Sequence, residues 1–218
     1  RTFISTKGAE TMATASAWAD FVRTMHPGDV LYIDGYLMDH PANREAAEAA
    51  LRVLPEGVRV LLDVSPVIGI PESLPAHHAI ISMNSVEARA IAKQSRLDGY
   101  LPFDSLSCRL AQTLGRDTLI RLGASGAYFA RYASPDSKTS AAQIPTPTVD
   151  AVDTNGAGDA HTGVLAASLA LGIPLERGLV LANCAGALAS TVPGPASCPT
   201  REDIEAAADA LAADAAAE

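Results

Sequence analysis

The chain has 218 residues, 48% hydrophobic and 19% charged, with 16 Lys or Arg against 25 Asp or Glu and a net charge of −9. Such a chain can bury a sizeable core and is not intrinsically disordered. The acidic balance, with no run of Lys and Arg, excludes the basic footprint of a nucleic-acid binder, but not an anionic ligand, because backbone N–H groups bind phosphate without net positive charge.

In chain order, Arg1-Thr2-Phe3-Ile4 reads as a strand. Thr14 to Met25 reads as a helix, with Trp18, Phe21, Val22 and Met25 on one face. Val30-Leu31-Tyr32-Ile33 predicts a strand ending at Asp34-Gly35, and Pro41 to Leu54 a helix opened by proline and stopped before Pro55. Further strands are expected at Val58 to Leu62, Ala79 to Ser82 and Thr118 to Leu122, with helices at Ser85 to Gln94 and Ser105 to Leu114 between them. Strands that alternate with helices indicate βαβ units and a parallel sheet.

Ser134 to Thr148, with three prolines, reads as a loop or edge region. Beyond it the chain becomes helical: about Ala157 to Leu171, Leu175 to Ser190 and Arg201 to Ala213, the Ala-rich end fraying. Cys108, Cys184 and Cys198 are odd in number and show no C-x-x-C spacing, which argues against a disulfide framework or a zinc site and for reduced thiols in a cytoplasmic protein. Arg1 to Glu10 has no apolar signal-peptide core, and no apolar run is long enough to span a bilayer. His77-His78 has no plausible partner for a metal.

The segment that carries chemistry is Asp150-Ala151-Val152-Asp153-Thr154-Asn155-Gly156-Ala157-Gly158-Asp159-Ala160. A glycine pair running into a helix leaves backbone N–H groups pointing outward, where they hold an anion with help from the helix dipole. Asp159 lies inside this anion-attracting turn. It is either a helix-capping carboxylate or a general base beside a bound phosphoryl group. A P-loop is absent, and the dinucleotide fingerprint G-x-G-x-x-G would need glycine where His161 stands, which disfavours a nicotinamide or flavin oxidoreductase.

Asp153-Thr154-Asn155-Gly156-Ala157-Gly158-Asp159 resembles the D-T-x-G-A-G-D signature of the ribokinase-like (PfkB) carbohydrate and nucleoside kinases. Three further segments resemble that family in the same order: Asn84-Ser85-Val86-Glu87 its N-x-x-E element, Leu122 to Ala127 its nucleotide loop, and Ala182 to Leu188 its adenine-side helix. The resemblance implies an α/β fold, a three-layer α/β/α sandwich with a mostly parallel central sheet, and one kinase domain over residues 1–218. It also implies that the family's first strands, its β lid and most sugar-contacting residues fall before Arg1.

The resemblance further implies ATP-dependent phosphoryl transfer to a hydroxyl of a small sugar or nucleoside. Asp159 would be the base, and Gly156, Ala157 and Gly158 the anion hole. Asn84 and Glu87 would hold hydrated Mg²⁺ and phosphate, Glu87 through water. Otherwise Asn84 simply caps the following helix, with Glu87 completing a capping box. Gly123, Ser125 and Gly126 would line the nucleotide, or form only a hairpin turn. Arg121 replaces a common hydroxyl residue and would reach a phosphate or point to solvent. Asn183 would lie near adenine, or face solvent or a neighbouring turn. Asp153 and Asn155 would hold a monovalent cation such as K⁺, or Asp153 would merely shape its turn. His161, in place of a common aromatic, is expected to be packed or exposed rather than catalytic, and Tyr36 is a weak substrate-side candidate. The family's members often dimerise through the lid, so a homodimer of the intact protein is the implied assembly. A nucleotide-binding module without turnover is the other reading.

Overall fold

The structure, a computed structural model, describes residues 8–12, 14–67 and 69–217. The strand expected at Arg1 to Ile4 lies outside the described residues. The chain divides into two compact units, Arg1–Ile81 and Ser82–Glu218.

In the first unit, α1 (Ala15–Val22) begins at Thr14, whose hydroxyl accepts the Ala17 N–H. There follow β1 (Val30–Asp34), α2 (Gly35–Met38), α3 (Pro41–Arg52) and β2 (Arg59–Asp63). β1 runs parallel to β2, with Val30 opposite Arg59 and Asp34 opposite Asp63. Val60, Leu61, Leu62 and Asp63 are all buried, as the unbroken apolar run of a covered parallel strand predicts. α1 packs on α3, whose buried face is made of Ala46, Ala47 and Ala50. The sequence reads Asp34-Gly35 as a turn. The chain forms the short α2 there because the Asp34 carboxylate accepts the Leu37 N–H at 2.7 Å.

β3 (Ala79–Asn84) contains the boundary between the units. In the second unit come α4 (Ser85–Gln94), α5 (Phe103–Leu114), β4 (Asp117–Arg121), β5 (Ala127–Ala130), β6 (Ala141–Ile144), α6 (Ala157–Ala170), α7 (Leu175–Ala189) and α8 (Arg201–Ala217). The sheet is mostly parallel, as expected, and β5 and β6 are its antiparallel part.

β6 lies within the Ser134 to Thr148 stretch that reads as a loop or edge region, and β5 is the second strand of the hairpin that the Leu122 to Ala127 turn offers. Both are four residues long, too short to show periodicity. A hydrophobic cluster joins the last helices: Leu181, Cys184 and Ala185 of α7 with Ile204 and Ala208 of α8, flanked by Val164 of α6. No helix among the described residues is long and apolar enough to cross a membrane.

Candidate active site

The residues singled out by the sequence belong to the second unit, apart from Tyr36. Tyr36 stands exposed on α2 in the first unit.

α6 starts from Gly156, which adopts φ +80°, a left-handed conformation that favours glycine. A Cβ at this position would run into the carbonyl oxygen of Pro195. The loop before α6 is therefore pressed against the loop after α7. Val152 and Asp153 both donate their N–H to the Ser190 carbonyl, at 2.8 and 3.0 Å. The Asp153 carboxylate accepts the Asn155 N–H through one oxygen and the Gly194 N–H through the other, at 2.9 and 3.1 Å. Asp153 thus does shape the turn, and Asn155 follows it half-buried.

Beyond Gly156 the turn opens. The Ala157 N–H makes a long 3.4 Å bond to the Thr154 carbonyl. Gly158 and Asp159 are exposed, and as the next residues of the first turn their N–H groups have no intrahelical acceptor. The Asp159 carboxylate makes no hydrogen bond or ion pair with any described residue, and the helix has no side-chain N-cap bond. The capping role open to Asp159 on sequence grounds is thus not the one it plays. An exposed carboxylate beside two N–H donors at a helix N-terminus can take a proton from a hydroxyl while the donors hold an anion.

α4 shows the opposite outcome. The Asn84 side chain accepts the N–H groups of Val86 and Glu87, and Glu87 Oε2 accepts the Asn84 N–H at 2.7 Å. The capping box is complete. Glu87 is buried at 7% exposure, yet Oε1 remains free of a described partner and can accept from a metal-bound water. Among the described residues no three His, Cys, Asp or Glu side chains converge on one point. A divalent ion here would be held through waters and phosphate, as Mg²⁺ commonly is.

Arg121 closes β4, and its side chain turns inward rather than to solvent. Its side chain is 13% exposed, with Nη1 donating to Thr162 Oγ1 at 3.0 Å and Nη2 lying 3.8 Å from Glu87 Oε2. Nη1 also lies 3.6 Å from where a Gly158 Cβ would stand. Arg121 therefore brings together the N-terminal ends of α4 and α6, the helices that begin beside Asn84 and carry Asp159.

The Leu122 to Ala127 turn is a hairpin between antiparallel β4 and β5. Leu122 donates to the Gly126 carbonyl at 2.7 Å, Ser125 to Leu122 at 3.2 Å and Gly126 to Gly123 at 3.0 Å. Gly126 has φ +77°, and a Cβ there would meet the Ile144 carbonyl oxygen. Gly123 and Ser125 are exposed at the tip. Asn183 is buried rather than solvent-facing, and its amide donates to the carbonyls of Ile144 and Pro145 at 3.1 and 2.9 Å. It pins β6 to α7.

His161 is packed, at 4% exposure, with no hydrogen bond of good geometry to either ring nitrogen. Burial, and then the Arg121 charge, push its pKa from 6.5 down to about 3, only partly offset by the nearby Asn183 side chain. It is therefore neutral. Thr162 is a site residue that the sequence leaves unmarked. Its helical position gave no signal of its role, which depends on Arg121 arriving from β4.

A family model described as pfkB family carbohydrate kinase matches residues 1–202. The Escherichia coli (strain K12) protein described as "Uncharacterized sugar kinase YegV" is 30% identical over 209 residues, covering 94% of this chain and 61% of that protein. The chain thus spans about three fifths of that relative's length. Among solved structures, Thermotoga maritima ribokinase matches at TM-score 0.69 and 22% identity, covering 86% of this chain and 58% of that one. The aminoimidazole riboside kinase of Salmonella enterica, complexed with aminoimidazole riboside and an ATP analogue, matches at 0.68 and 24%, covering 94% and 69%. These likenesses show the ribokinase-like α/β fold.

Proposed function

This chain belongs to the pfkB family of carbohydrate kinases, and from that premise we propose that it carries the ATP-side site and the catalytic base of a sugar or nucleoside kinase. The reaction moves the γ-phosphoryl of ATP to a hydroxyl of a small sugar or nucleoside. Residues 1–218 are read as one kinase domain, and three free thiols fit a cytoplasmic setting. The observation that carries the reading is the unpaired, exposed Asp159 carboxylate on the open first turn of α6, with Arg121 beside it.

In this mechanism Asp159 takes the proton of the attacking hydroxyl. The N–H groups of Gly158 and Asp159, with Gly156 and Ala157 shaping the turn, stabilise charge on the transferring group, a role worth about 10²–10³ in rate per donor in other enzymes. Glu87, through Oε1, would accept from a water of bound Mg²⁺, and the Asn84 amide NH2 would donate to phosphate; the ion would supply charge neutralisation there. Gly123, Ser125 and Gly126 border the nucleotide, and Asn183 sets the backbone beside adenine. Asp153 and Asn155 frame a K⁺ site whose occupation would tighten the same loop.

The test is ATP labelled at the γ-phosphate, offered with Mg²⁺ and a panel of sugars and nucleosides to the intact protein. Label in a sugar or nucleoside ester is the expected result. ATP binding without transfer to any acceptor would favour a nucleotide-binding module without turnover, and absence of ATP binding would overturn both.

A further inference from the structure

Arg121 stands where the family it resembles often has a hydroxyl residue, and the structure gives this cation a definite place. It leaves the end of β4 and is held from two sides, by Glu87 of α4 and Thr162 of α6. Both ion-pair partners are largely buried, 13% and 9% exposed at the side chain, so the pair is poorly screened. A single lysine could not make both contacts in one plane, whereas the guanidinium fork can.

Removing Arg121 would leave two carboxylates, Glu87 and Asp159, near an open helix turn with no fixed cation shown beside them. A polyphosphate approaching that turn would then depend on a diffusible cation alone.

We propose that Arg121 is a positioning residue that straps the Glu87 end of α4 to the first two turns of α6 and supplies a fixed positive charge there, making the binding of nucleotide phosphates less dependent on Mg²⁺. This rests on the kinase reading for its ligand, but the strap is a property of the chain itself. The side chain acts through Glu87 and Thr162, and its charge faces the same turn as the Gly158 N–H. His161 is the further titratable group packed against it. Being neutral, it neither competes for the phosphate nor repels the guanidinium at ordinary pH.

The experiment has two arms on the full chain. In the first, ATP, ADP and adenosine are titrated into wild type, Arg121→Gln and Arg121→Lys, with Mg²⁺ and with chelator. Arg121→Gln should lose about tenfold in ATP and ADP affinity without Mg²⁺, as expected when a poorly screened fixed charge beside the phosphates is removed. The loss should shrink in saturating Mg²⁺, and adenosine binding should be unchanged. Arg121→Lys should recover part of the loss. Equal affinities and equal Mg²⁺ dependence in wild type and Arg121→Gln, or an equal loss for adenosine, would overturn the proposal.

The second arm is a double-mutant cycle on melting temperature with Glu87→Gln and Arg121→Gln. The double variant should lose clearly less than the sum of the single losses, and strict additivity would overturn the strap. A wild-type chain that bound no ATP would overturn the kinase reading and the phosphate half of this proposal together. A nucleotide-binding wild type with an indifferent Arg121→Gln would overturn the proposal alone.

Discussion

Two glycine turns of the second unit look alike in sequence and differ in what they leave available. Each has one glycine held at positive φ against a carbonyl, Gly126 against Ile144 and Gly156 against Pro195. Each has a second glycine with room around it, Gly123 and Gly158. The hairpin turn spends three of its N–H groups inside itself, those of Leu122, Ser125 and Gly126. The α6 turn spends one N–H weakly and leaves the next two, with an unpaired carboxylate on the same turn. Glycine at such a motif therefore reports two separate things: backbone geometry that must be met, and backbone polarity that is left for a ligand.

The largest expected effect that would break this comparison comes from the locked glycines. Gly126→Ala and Gly156→Ala should each destabilise by about 1–3 kcal/mol, since both strain and collision must be relieved. Urea unfolding of the two variants checks this, and wild-type midpoints would show that neither glycine is locked. The open glycine should behave differently. Gly158→Ala, at a helical position with only ordinary contact to Arg121, should change stability by no more than about 1 kcal/mol and in the stabilising direction. It should nonetheless weaken ATP binding relative to adenosine, because the methyl group stands where an anion approaches. A variant with unchanged nucleotide affinity would show that the α6 turn leaves no N–H for an anion.

A smaller effect concerns the packing behind the α6 turn. His161 ordinarily would titrate near 6.5 and in the fold titrates at about 3, through burial first and Arg121 second. Between those values the unfolded chain binds a proton that the folded chain refuses, so stability rises with pH there. The contribution of His161 is full above about pH 6.5 and is lost progressively as pH falls toward about 3. His161→Leu should flatten that decline, seen as a smaller difference in unfolding midpoint between about pH 7 and about pH 5. An unchanged slope would show that the imidazole is hydrated in solution.

Much of this was legible in the chain itself. The strands β1 to β4 announce themselves as apolar runs ending in Asp, Asn or Gly, and α3 and α4 carry their own start signals in Pro41 and in the Asn84–Glu87 box. The ordered motifs gave the family and the neighbourhood of the site. What stayed hidden depends on distant partners. Two four-residue strands carry no period, and α2 forms only because Asp34 caps it. The place of Arg121 required Glu87 and Thr162, 34 and 41 positions away, to be brought beside it. Asp159 offered two roles of equal plausibility in one dimension. The turn geometry, with its carboxylate unpaired, removes the capping role and leaves the base as the role proposed.

The most direct test of the central claim is Asp159→Asn in the intact protein, with ATP binding and phosphoryl transfer measured on the same preparation. Asp159 is exposed and bonded to no described residue, so the variant should fold and bind ATP like wild type. Its turnover should fall by at least about 10²-fold, the loss expected when a general base is removed. Turnover equal to wild type, with binding intact, would contradict the assignment of the base and with it the reading of the α6 turn as the site of phosphoryl transfer.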